Sequence, residues 1–330
     1  MNLLLRIKKG RMKLVSARQK TPHAIRGTRL ASAGNLLSRK WQLLVMFAVP
    51  LAWYIIFCYV PMYGAQIAFR NFNPRLGYLA SQWTGLKHFR RFFSSYNAWT
   101  VIWNTLSINL GCLAVGFPAP ILLAILINEI RHNRFKKVLQ NVTYIPYFLS
   151  IVVVVSMLRL FSHQQYGILN VIIKSFGGKA VPLMESDRWF KPMYVFSNVW
   201  QNCGWNAIIY IAALAGVDLS LYEAATIDGA SRMQRIRHVS IPGISSTIIT
   251  LFILRIGQLM SIGFEKALLM QNTLNMSAGE IISTMVYKIG IQQGDYSYAA
   301  AVGLMNSAAN LALIFSANYI CGRVFKESLW

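Results

Sequence analysis

Along residues 41–321 the chain alternates long, mostly uncharged apolar runs with short polar stretches that hold most of its ionisable groups. Six runs, 41–63, 98–130, 139–161, 191–216, 244–270 and 298–321, are each long enough to cross a bilayer, which takes about 20 residues at a helical rise near 1.5 Å. The expected fold is all-α, a polytopic membrane helix bundle of six transmembrane helices. Proline lacks the backbone donor, so Pro50 and Pro61 are expected to kink or end the first run, and Pro118 and Pro120 to break the second near its middle. Of the polar stretches, 64–97 is aromatic and mixed in charge, with Trp83, Phe89, Phe92, Phe93 and Tyr96 suited to a membrane interface. Gly177-Gly178 and Pro182 forbid a continuous helix over 162–190. Residues 271–297 are rich in Gln, Asn and Ser and read as a last outside segment.

Composition agrees with a membrane protein. The chain is 55% hydrophobic and 13% charged over 330 residues, where an ordinary soluble domain carries roughly 25% charged residues; its mean hydropathy is +0.43. The net charge of +23 does not point to nucleic acid, because the bases are sorted by loop. Residues 1–40, a basic tail ahead of the membrane domain at 41–330, hold eleven of the 33 Lys and Arg. Segments assigned to the inside hold twenty of them and those outside ten, the sense of the positive-inside rule. Six crossings then make a multi-pass protein of the cytoplasmic membrane with both termini in the cytoplasm. The tail serves as a topology signal, and a basic juxtamembrane segment also suits contact with anionic lipid.

Metal and nucleotide chemistry find no support. Cys58, Cys112, Cys203 and Cys321 stand singly in or beside apolar runs, and His23, His88, His132, His163 and His238 do not cluster. Gly178-Lys179 is no phosphate loop, because Ile173 stands at the first glycine position and Ala180 where Ser or Thr would hold Mg²⁺. No metal or cofactor is expected in this chain, no enzymatic activity is expected, and any ATP and Mg²⁺ must bind a partner.

One polar, helix-prone island separates the fourth and fifth runs, at 217–243. Asp218 stands at an N-cap position, Glu223, Ala224 and Ala225 favour a short helix, Gly229 supplies a left-handed stop, and Pro242 marks where the chain restarts. A helix-turn-helix knob between spans conducts nothing itself and suits the grip of a soluble partner; the bland alternative is a loop that packs on its own bundle. The wording Glu223-Ala224-Ala225, Asp228-Gly229-Ala230 and Ile241-Pro242 closely resembles the cytoplasmic loop of ATP-binding-cassette (ABC) importer permeases. The chain is similar in particular to the carbohydrate-uptake permeases for aldouronate and other complex oligosaccharides. That resemblance rests also on Val60-Pro61-Met62-Tyr63-Gly64, Gly85-Leu86-Lys87-His88-Phe89, Phe117-Pro118-Ala119-Pro120, Gly263-Phe264-Glu265-Lys266, Tyr298-Ala299-Ala300-Ala301-Val302-Gly303 and Ser328-Leu329-Trp330. Ile236 departs from it, standing where the family loop often carries an aromatic.

The resemblance implies a type I importer permease fold, with a second homologous permease completing a heterodimer. It also implies an ABC ATPase dimer, an extracytoplasmic solute-binding protein and an oligosaccharide substrate, a class that includes uronic-acid-containing sugars. Glu223, Ala224, Ala225, Asp228, Gly229, Ala230 and Pro242 would then form the ATPase-coupling element.

Within the spans, Arg255 falls near mid-depth, where a lipid-facing charge costs ~2.5–3.5 kcal/mol or more, so it should face the bundle. Two readings stand, a cation lining the sugar path and an internal pair. Asn306 and Asn310 share one helix face and suit interhelical hydrogen bonds or sugar contact. Trp205 and Tyr210 could stack on sugar rings or anchor at an interface. Arg159 and the neighbours Glu265 and Lys266 are expected near the outer surface, where snorkelling explains them. A secondary transporter of small solutes would need a coupling-ion site, for which Glu265 is the one candidate carboxylate, and no repeat is visible. A membrane sugar transferase would have to use Glu185, Asp187, Glu280 or Asp295, which form no motif.

Overall fold

The computed structural model describes residues 41–325; the basic tail at 1–40 and the final Ser328-Leu329-Trp330 lie outside the described residues. The chain divides between Gly64 and Ala65 into two units. The first holds helix α1 (Trp41–Tyr54), which runs through Pro50 into a π-helical stretch, Ile55–Tyr59, and a turn, Val60–Met62. None of these residues is buried.

The second unit opens with a two-residue antiparallel pair, β1 (Arg70–Asn71) and β2 (Gln82–Trp83), and a short helix, α2 (Lys87–Phe93). The expected break in the second span is slight. Helix α3 (Ala98–Gly116) passes into α4 (Pro118–Asn128) through Phe117 alone, and together they form one 31-residue span. Pro118 occupies the first position of α4, where a missing N–H is harmless.

The third apolar run is not the single helix expected over 139–161. Helix α5 (Asn133–Tyr144), extended by a 3-10 turn at Ile145–Phe148, meets α6 (Ile151–Ser162) at 96°. Pro146 removes a donor, and Ser150 caps the new helix by accepting from Val153 N at 3.3 Å. After α7 (Ile168–Ser175), Asn170 ties down the loop through Val181, whose N–H donates to its Oδ1 at 2.7 Å.

Helix α8 (Asp187–Ala215) runs unbroken for 29 residues and packs along α3 and α4. It crosses α5 at Gly204, where an added Cβ would stand 2.0 Å from the Thr143 carbonyl oxygen. Only glycine permits that approach. Next come α9 (Leu219–Ile227), α10 (Arg232–Arg235) and a π-helical turn, Ile236–Ser240.

The fifth run is also not one helix over 244–270. Helix α11 (Ser245–Ile256) stops at Gly257, and α12 (Phe264–Met270) begins only after non-helical residues 257–263. Residues 271–297, expected as an outside segment, carry part of the core: Ile281 and Ile282 are buried on and beside α13 (Ile282–Tyr287). Asn104 and Thr105 of α3 hold this segment by hydrogen bonds to Ser277 O, Glu280 O and Ile282 N. The last helix, α14 (Tyr296–Val324), packs on α2, α11 and α13.

Buried apolar side chains gather at both ends of α8. One cluster surrounds Phe190, Met193 and Tyr194 with Ile108, Val155, Ile262 and Ala267; another joins Ala207, Tyr210 and Leu214 to Ala124, Ile125 and Ile244. The stretch of α8 between them is polar.

Candidate functional site: a polar cavity and an exposed knob

That polar stretch is Asn198, Asn202 and Asn206, spaced by four and therefore stacked on one face of α8. With Asn109 and Cys112 of α3, Arg255 of α11, and Gln258, Leu259 and Ser261 of the non-helical segment, they line a cavity of about 180 Å³. A second, of about 90 Å³, lies toward the other apolar cluster and shares Gly116, Phe117, Asn206 and Arg255 with the first. Tyr210 lines this second cavity.

Non-helical backbone at membrane depth survives only where protein or a water-filled cavity satisfies its polar groups. Asn109 Nδ2 donates to Leu259 O at 2.6 Å, Met260 N donates to Asn310 Oδ1 at 2.9 Å, and Asn310 Nδ2 donates to Ser261 Oγ at 2.7 Å. The break in the fifth span is therefore held by asparagines of α3 and α14. On α8, Asn202 Nδ2 donates to Asn198 O at 2.8 Å and Asn198 Nδ2 to Cys112 Sγ at 3.7 Å. The side-chain amides of Asn206 and Gln258 and the guanidinium of Arg255 make no hydrogen bond or ion pair among the described residues and remain available to a ligand.

The residues singled out in the spans are therefore split by the fold. Arg255 and Tyr210 face these cavities. Asn310 lines neither cavity and braces the wall, which is interhelical hydrogen bonding of the kind expected. Asn306 also lies outside the cavity linings, with its Oδ1 buried and unpartnered. Trp205 lines neither cavity and stacks on Tyr147, ring centroids 4.4 Å apart with the rings nearly parallel. The asparagine ladder was missed, although its spacing of four, visible in the sequence, was the available signal. Arg159 donates to Leu269 O, as a residue near a span end does. Lys266 does not snorkel: it is 3% exposed.

At 217–243 the chain forms the expected helix-turn-helix knob. Asp218 caps α9, its Oδ1 accepting from Ser220 N at 2.9 Å, and that donor holds its carboxyl below the usual carboxylate range. The helix ends in a Schellman turn: Ala230 N donates to Ala225 O at 2.9 Å, Gly229 N to Thr226 O at 3.1 Å, and Gly229 takes φ +76°. Ser231 and Gln234 close a reciprocal capping box on α10. Arg235 donates to Thr226 Oγ1 at 3.0 Å, and Tyr222 and Ser240 hydroxyls share a bond of 2.9 Å, which locks α9 against the returning chain. Pro242 lies in the turn Ile241–Gly243 that leads into α11, and Ile236 packs on the cluster of Ala207, Tyr210 and Leu214. The outer face is left bare. Glu223 and Ala224 are exposed, as are Leu219, Leu221, Ile227 and Met233.

Comparison with known proteins gives these features a setting. The family pattern described as "Binding-protein-dependent transport system inner membrane component" matches residues 116–326, which include the knob and the cavity lining from Gly116 onward but not Asn109 and Cys112. Protein LplB of Bacillus subtilis (strain 168) is 40% identical over 320 residues, 97% of this chain and 100% of its own. The polygalacturonan/rhamnogalacturonan transport system permease protein YteP of the same strain is 40% identical over 296 residues, 90% of this chain and 92% of its own. A solved bacterial ABC transporter involved in the import of the acidic polysaccharide alginate superposes with a TM-score of 0.82 at 34% identity, covering 89% of this chain and 99% of the matched chain.

Proposed function

Because the chain belongs to the family of binding-protein-dependent transport system inner membrane components, and is a transport permease rather than an enzyme, we propose that its cavity passes acidic oligosaccharides. The observation that carries this reading is the cavity lining: a ladder of carboxamides and one unpaired arginine inside an apolar bundle. A sugar presents hydroxyls that both donate and accept, and each asparagine offers two donors and an acceptor. Neither the free Asn206 nor Gln258 needs to give up a partner to meet one. Arg255 adds a planar fork that suits a uronate carboxylate. The names of YteP and of the alginate transporter point to the same substrate class.

The partners follow from what is left open. At about 180 Å³ the cavity is smaller than the ~300–1,000 Å³ of a complete small-molecule site, which supports a second homologous permease supplying the rest. The knob, its helix ends capped internally and Glu223, Leu219, Leu221, Ile227 and Met233 uncovered, suits a groove on the ABC ATPase dimer. This reading puts the knob in the cytoplasm and the solute-binding protein on the other face. Glu265, the carboxylate a secondary transporter would use, lines neither cavity.

The test is uptake by the assembled importer in proteoliposomes, comparing a galacturonate pentasaccharide with its neutral methyl ester. Arg255→Leu should assemble normally and lose roughly tenfold or more of the acidic substrate's uptake, the worth of one charge-assisted pair, while sparing the ester. Equal loss of both sugars would sink the assignment of Arg255 to substrate.

A further inference from the structure

Behind the cavity wall lies a second cation that neither the fold nor the knob employs. Lys266, on α12, is 3% exposed, and its Nζ makes no hydrogen bond. Its one evident companion is the face of Tyr194, with Nζ 5.2 Å from the ring centroid. Tyr194 itself belongs to the apolar cluster of Phe190, Met193, Ile262 and Ala267, and Cys112 packs against that cluster. No carboxylate among the described residues pairs with Lys266; the ion pairs there are Arg91 with Asp295 and Lys288 with Glu280.

A buried ammonium without an anion is costly, and an apolar residue of similar length would pack there better. A cation–π contact offsets only part of that cost. Its position suggests what the charge does. Tyr194 stands one helical turn before Asn198, and both Asn198 and Cys112 line the cavity. Cys112 and the Tyr194–Asn198 turn of α8 thus join the apolar cluster beside Lys266 to the cavity lining. Charge in such surroundings projects its field much farther than it would in water.

We propose that Lys266 is a specificity-determining residue that favours anionic sugars in the cavity through its field, without touching them, while Arg255 makes the direct contact. The inference rests on the reading of the cavity as a path for acidic oligosaccharides. It differs from that reading in assigning selectivity to a residue outside the lining.

The experiment uses the complete importer with its binding protein in proteoliposomes, and reads uptake of a galacturonate pentasaccharide against its methyl ester at matched transporter density. Lys266→Met keeps the length and removes the charge. Its acid-to-ester ratio should fall about tenfold relative to wild type, the scale of one unit charge acting through a medium of intermediate dielectric, with uptake of the ester unchanged or raised. Lys266→Arg should keep the wild-type ratio. If Lys266→Met does not accumulate in the membrane, Lys266→Gln provides the same reading. A neutral variant that retains the full ratio, or loses both sugars equally, overturns the role of Lys266 alone. A wild-type importer that does not distinguish acid from ester overturns both this inference and the reading beneath it.

Discussion

The knob at 217–243 and the broken fifth span at 257–263 both interrupt helices, and they satisfy the interrupted backbone in opposite ways. In the knob the stabilising bonds stay within the segment: Asp218 to Ser220, Ala230 to Ala225, Ser231 to Gln234, Arg235 to Thr226, and at most 18 residues apart in the Tyr222–Ser240 pair. In the span the bonds come from far along the chain, Asn109 to Leu259 and Asn310 to Met260. A locally closed knob keeps its shape whatever the surrounding helices do, which is what a handle needs. A break tied to α3 and α14 must follow those helices, so the cavity floor at Leu259 and Ser261 moves with them.

The largest effect should come from disturbing the membrane half at a backbone contact. Gly204→Leu drives a side chain into the Thr143 carbonyl, since even its Cβ would lie 2.0 Å away. The variant is expected to yield no assembled transporter on detergent extraction. Gly303→Ala, on α14 with open space around the new Cβ, should assemble normally; recovery of a normal Gly204→Leu complex would show that α5 and α8 do not need their close approach.

Next in size are lesions of the knob. Nothing lies within 4 Å of a Cβ on Gly229, so its substitution costs only the left-handed strain of ~1 kcal/mol, largely spared by asparagine. Gly229→Leu should insert and pair normally yet lose most uptake because the ATPase washes off or hydrolyses uncoupled; Gly229→Asn should keep most of it. Glu223→Ala, with its carboxylate exposed and unengaged in this chain, should resemble Gly229→Leu. Full transport with a retained ATPase in both would reduce the knob to a connector.

The smallest effect sharpens the other side of the contrast. Asn310→Leu strands the Met260 N–H and costs roughly 1–3 kcal/mol, which should lower the melting temperature of the purified complex by a few degrees. Acidic and neutral sugars should then slow alike, unlike the charge-selective loss expected at Arg255. A change confined to the acidic sugar would place Asn310 in contact with substrate instead.

Much of the molecule was legible in one dimension. Uncharged runs mark spans because bilayer thickness sets a length that composition alone can meet, and the knob was readable because caps, turns and proline act over a few residues. The cavity was less so. Arg255 stood out by its cost in lipid, and Tyr210 was named, but Trp205 and Asn306 looked as suitable as either. Apolar length could not distinguish one helix from two over 139–161 or 244–270. Hydropathy measures transfer to lipid and says nothing of who satisfies an unwound backbone.

By itself, then, the sequence determined the helical membrane class, the places of the long apolar runs and the helix-turn-helix form of the knob, since each depends on short-range chemistry or on a length matched to the bilayer. Only the tertiary structure decided that Asn198, Asn202 and Asn206 face Arg255, that Asn109 and Asn310 hold the fifth span open, and that Lys266 lies buried without an anion. Those facts depend on which helix faces which, and that is settled by contacts between residues 50 to 150 positions apart, such as Gly204 admitting the backbone at Thr143 or an amide side chain reaching the one carbonyl left without a donor.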